Sequence, residues 1–215
     1  MKYISKIKQI ARYLIYNQAA RLNFTLICGV LINSVYVMTN VFSAVAYGSI
    51  WAATVSIYHL VLIVTRIYLL SARRIAEGDV GVDRMLIRVG VLLLLIDLVS
   101  AAMMIYTVSQ DSFIKYSGFV LFAFLIYAVY SLTVSVRAFK KYKNDNNHLH
   151  FVAKSISLST SLMSVFNLQY SVFSLLGADS SLTGRAILVG GVAIFSVILF
   201  LSLRLIKKAN IWSER

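Results

Sequence analysis

Proline is absent from the 215 residues, cysteine occurs once, and only 8 acidic residues stand against 21 lysines and arginines. Each scarcity closes a class. Without proline, no helix is broken in the way that residue breaks one, although glycine could still loosen a helix at Gly90 or Gly190-Gly191. Cys28 alone, inside an apolar run, leaves no internal disulfide and points away from redox chemistry. The acids are scattered, so no two carboxylates at membrane depth form an acid–base pair, and no aspartate cluster builds a metal–phosphoester site. A Walker-type glycine loop, HExxH and CxxC are missing as well. Charged residues make up 13% of the chain, where a soluble domain has about 25%.

What is present is apolar. Hydrophobic residues reach 60% and the mean hydropathy is +0.80, the composition of an integral membrane protein. Disorder, a nucleic-acid module and a secreted disulfide scaffold are thereby set aside. The net charge of +13 would suggest nucleic acid in a soluble chain, but here the basic residues flank apolar segments and read as topology signals and lipid anchors.

About 20 apolar residues cross the hydrocarbon core. Six stretches qualify: Phe24–Val45, Ser49–Leu70, Ile87–Val108, Tyr116–Val136, Ile156–Leu176 and Ala186–Leu205. Their continuity excludes alternating barrel strands, so the expected fold is an all-α bundle of six transmembrane helices. Basic residues gather before span one, after spans two and four, and after span six, whereas the opposite side carries only Lys115 and Arg185. By the positive-inside rule both termini are cytoplasmic, in a bacterial-type plasma membrane. Residues 1–22 are expected to form a basic amphipathic helix at the interface, since Ile4, Ile7, Ala11 and Leu14 repeat at helical spacing among lysines and Arg12. It serves as a topology anchor or a partner-binding segment, and recurring charges exclude a signal peptide. Residues 23–206 make the transmembrane domain and 207–215 a cytoplasmic tail. No segment is long enough for a soluble catalytic domain of about 50 residues or more.

Ionisable residues at membrane depth are costly, so function is sought there first. His59 and Asp97 fall near the midplane of spans two and three, as do Asn33 in span one and Asn167 in span five. Two readings stand: a proton- or cation-binding point built on Asp97 and His59, or buried hydrogen-bonded pairs with the asparagines as packing glue. Arg66 could pair with Asp97, but with about a turn of span left it is expected to snorkel to the surface, and Lys154 likewise. Lys154, Ser157, Ser161 and Ser164 share one helical face, read as a close-packing surface or as a polar substrate path. Gly190-Gly191 with Ala193 make a similar surface on span six. In the fourth link Asp145, His148 and His150 could hold a divalent metal, or simply form a solvated loop.

In this order of spans the chain resembles the membrane domain of the cation diffusion facilitator family. The likeness is carried by Leu31-Ile32-Asn33 with the Tyr47-Gly48-Ser49-Ile50 turn, by Phe151-Val152-Ala153-Lys154-Ser155-Ile156-Ser157 through Val165, and by the Gly184–Phe195 stretch of span six. The chain is also similar to uncharacterised bacterial six-span proteins of this length. The family resemblance implies a cation-diffusion-facilitator-like bundle that binds zinc or a related ion between spans two and five through His or Asp residues four apart. Aligned here, those positions are Tyr58 and Leu62, Ser157 and Ser161, none of them a good divalent ligand, and the family's cytoplasmic metal-sensing domain is absent. The expectation is therefore a transporter-like membrane protein that binds or moves a small cation or solute, with the family zinc site lost. The alternative is a non-transporting membrane partner or assembly subunit. No catalysis and no cofactor are expected. The expected partners are the bilayer, with anionic lipids at the cytoplasmic face, and a second copy or another membrane subunit, with no nucleic acid.

Overall fold

The computed structural model describes residues 17–75, 82–110, 118–142, 148–176 and 180–213, and among them every regular element is a helix. The helices are α1 (Gln18–Tyr47), α2 (Ile50–Ile75), α3 (Val82–Ser109), α4 (Gly118–Tyr142), α5 (His148–Leu176) and α6 (Ser180–Ser213). Five of them, all but α4, contain a described stretch long and apolar enough to cross a membrane.

Local chemistry sets the ends that matter. Asn17 takes an extended conformation and its side-chain oxygen accepts the Ala20 N–H at 3.1 Å, so α1 starts at Gln18, ahead of the boundary expected at 22/23. Residues 1–16, the core of the expected interfacial helix, lie outside the described residues. Gly48 ends α1 in the left-handed region at φ 61°, a conformation that a side chain would strain. Ser49 then accepts the Ala52 N–H on its hydroxyl and starts α2, which makes the first hairpin tight. At the other end of the chain, residues 207–213 continue α6 rather than forming a separate tail.

The packing order follows from small and hydroxyl-bearing residues. Lipid is as apolar as leucine, so helix association here depends on close approach and internal hydrogen bonds rather than on hydrophobic burial. α5, the serine-rich helix, is central: 72% of its apolar stretch is buried, against 22% for α1. It touches α1, α2, α3, α4 and α6. The hydroxyls of Ser155 and Ser171 turn back onto their own helix, to the Phe151 and Asn167 carbonyls, which offsets the cost of burying them. α3 and α6 pack closely through Gly90, where a methyl group would meet Ile206 and the Ser202 carbonyl oxygen. The glycine pair of α6 has the packing role expected of it, with Gly190 set against the Gln169 amide and Gly191 against Met104 and Phe166.

Among the described residues α4 lays its backbone against α5 alone. α1 and α4 thus stand on either side of α5 with their backbones apart. They meet through the rings of Tyr36 and Tyr127, whose centroids are 5.1 Å apart. The space left between them is the setting of the candidate site.

Candidate functional site

A cavity of about 390 Å³ fills the space between α1, α4 and α5, with one side chain reaching in from α2. That side chain is Arg66. It is 3% exposed, and its Nη2 donates to the Thr160 hydroxyl at 3.2 Å while its Nε has no partner. The expectation that Arg66 snorkels outward is therefore corrected. It turns inward because Gly29 on α1 leaves room for the guanidinium, which occupies the place where a methyl group at position 29 would sit. It makes no ion pair with Asp97 or with any other described residue.

Lys154 also lines the cavity, within electrostatic range of Arg66 and Arg21. Ser157 and Ser161 follow it on the same face of α5, so the face legible in the sequence borders the cavity over part of its length. From α4, Ser135 bonds the Ser161 hydroxyl at 2.8 Å, and Tyr127, Tyr130 and Ser131 complete that wall. Asn33 on α1 lines the cavity too; it is fully buried and neither of its amide atoms has a hydrogen-bond partner. No aspartate or glutamate is among the lining residues.

A short run of stacked rings stands beside it. Tyr127 tilts against Tyr36, and Tyr36 stacks on His59 with centroids 4.7 Å apart and planes within 10°. His59 Nδ1 lies 2.9 Å from the Val55 carbonyl, which can only accept, so Nδ1 carries the proton and the buried Nε2 is left without a donor.

The four midplane residues do not form one centre. His59 and Arg66 lie seven residues apart on one face of α2, and the Arg66 charge acts on His59. Tyr58, about 100° round the helix, is the residue that senses Asp97. Asp97 is 2% exposed, with Oδ1 unpartnered, and it lines no part of the cavity. His59 and Asp97 share neither a hydrogen bond nor an electrostatic pairing. Asn167 accepts from the Trp51 indole N–H at 3.3 Å, within a cluster of Trp51, Phe166 and Tyr170, and does not meet Asn33.

The remaining positions are equally separate. Tyr58 and Leu62 are buried, whereas Ser157 and Ser161 border the cavity and bond the Ala153 and Ser157 carbonyls, so the four family positions supply no set of metal ligands. His148 and His150 open α5 instead of lying in a loop. His150 is buried, the side chain of His148 and all of Asp145 lie outside the described residues, and no group of three potential metal ligands occurs among the described residues.

The pairing of Arg66 with Lys154 was missed from sequence. Its signal was a basic residue inside span two and another just before span five, a pattern that outward snorkelling explains equally well. No protein-family model, curated protein or solved structure matches the chain.

Proposed function

We propose that this is a transporter-like integral membrane protein that binds a small anionic group in the cavity between α1, α2, α4 and α5. One observation carries the reading: Arg66 and Lys154 line the same intramembrane cavity with hydroxyls and an unpartnered Asn33, and with no carboxylate. A buried guanidinium lacking a counter-ion is costly, and an oxyanion in the cavity would relieve that cost through charge-assisted hydrogen bonds. A cation placed there would meet two like charges, so an anion supplants the small cation suggested by Asp97 and His59.

The wider frame belongs to the same proposal. The chain crosses a bacterial-type plasma membrane six times, with both termini cytoplasmic and the cavity in the cytoplasmic half. α4 is the sixth span because its residues 118–135 carry no charge. Any scaffold shared with the cation diffusion facilitators has lost its zinc positions.

Thermal unfolding of the native chain in nanodiscs tests the reading. A phosphate-bearing probe, either inorganic phosphate or phosphatidic acid, should raise the midpoint, and Arg66→Gln should abolish the rise. Stabilisation by zinc or potassium alone, or by none of these probes, would overturn it.

A further inference from the structure

The proposal rests on reading the cavity as an anion site, and it concerns where the anion comes from. We propose that the cavity takes the phosphate headgroup of a membrane lipid, admitted sideways through the gap between α1 and α4.

Three observations point the same way. First, the cavity is two-faced. Inside, Arg66, Thr160, Ser161 and Asn33 are at most 4% exposed, whereas the flanking residues Tyr130 and Val134 on α4 are 68% and 48% exposed. A charged interior behind a lipid-facing apolar rim matches an amphiphile, whose phosphate goes in while its chains stay in the bilayer. Second, the gap is lateral: α1 and α4 both rest on α5 with their own backbones apart, and Tyr36 meets Tyr127 across it. Third, the size suits more than a bare ion. At ~30 Å³ per water, about 390 Å³ holds about a dozen waters, enough for a phosphate with part of its glycerol.

The lone cysteine offers the readout. Cys28 lines this cavity, is partly accessible and is the chain's sole thiol, so a thiol-reactive probe reports on occupancy without engineering. The native chain in nanodiscs of a galactolipid, which carries no phosphate, is labelled with a small maleimide, either alone, with phosphatidic acid in the bilayer, or with inorganic phosphate in the buffer. Phosphatidic acid should slow labelling by about tenfold, the scale of one charge-assisted contact, and Arg66→Gln should restore the rate. Should Arg66→Gln fail to fold, Lys154→Gln is the equivalent test. Val134→Trp, which narrows the gap and leaves both cations in place, should remove protection by the lipid and leave any protection by inorganic phosphate intact.

The outcomes separate the two claims. Protection by phosphate but not by the lipid overturns lipid entry and leaves the anion site standing. Protection by neither overturns both. Lipid protection that survives in the cation variants reflects a general effect of the bilayer and also overturns the proposal.

Discussion

A methyl group added at Gly29 would fall inside the Arg66 guanidinium, so this glycine and this arginine occupy one space between them. Gly29→Ala should therefore cost about 1–3 kcal/mol of stability, the usual range for overpacking. The same change in an Arg66→Ala background should cost little, because the clash has no second partner. A double-mutant cycle read by thermal unfolding checks this, and equal costs in both backgrounds would refute the coupling. Asp97 supplies the opposite expectation. It lies away from the cavity with one oxygen unpartnered, so Asp97→Asn should leave stability and the phosphate-dependent protection of Cys28 within about twofold of native, while a loss like that of Arg66→Gln would return the carboxylate to the site. The sequence marks Asn33, His59, Asp97 and Asn167 as interior because polar groups at membrane depth avoid lipid. It does not say which of them meet. That depends on helix rotation, and a register at one depth leaves the rotation open. Arg66 was misread for the same reason: nothing along α2 announces that Gly29 of another helix leaves a hollow opposite.

At the scale of the helix, α5 holds the bundle together through small side chains, most of whose hydroxyls bond their own backbone, Ser159 being an exception. Ser171 is fully buried and bonds the Asn167 carbonyl at 2.7 Å. Its requirement is therefore for size more than for polarity. Ser171→Ala should cost less than about 1 kcal/mol, since no partner on another helix is orphaned, whereas Ser171→Leu should cost about 1–3 kcal/mol or more by forcing the helices apart. Unfolding midpoints of the two variants test this, and a costly alanine would mean that the hydroxyl matters beyond its own helix. The serine-rich face of α5 was legible as a periodicity, and the structure divides it: Ser157 and Ser161 border the cavity, while Ser164 is buried and does not line it. Periodicity names a face, but only the neighbouring helices decide whether it meets protein or open space. The start of α1 was the least legible helix end, since the Asn17 side-chain cap lies ahead of the apolar run, whereas the turn at Gly48 was readable in the sequence.

For the whole molecule, charge and packing make a joint statement about direction. α1 begins, α2 ends and α5 begins at one end of the bundle, and Thr25, Arg66 and Lys154, near that end of their helices, all line the cavity. The same end gathers Arg73, Arg74, Lys140 and Lys141 in the sequence, whereas the Gly48 turn at the other end carries no charge. If that basic end faces the cytoplasm, the cavity opens in the leaflet whose anionic lipids its lysine and arginine would attract. In the opposite orientation it would open in the other leaflet, and a headgroup site would draw on a different lipid pool. Orientation is thus part of the functional argument as well as of the topology. It is settled by single cysteines in a Cys28→Ser background, labelled in intact cells with a membrane-impermeant maleimide. Tyr47→Cys, exposed beside the first turn, should label without permeabilisation, and Lys207→Cys on α6 only after it. The reverse pattern would invert the molecule and move the lipid source to the outer leaflet. Labelling of both positions from outside would mean that an even number of spans, four instead of the five proposed, separates Tyr47 from Lys207, and α4, whose backbone among the described residues meets α5 alone, would be the span to remove from the count.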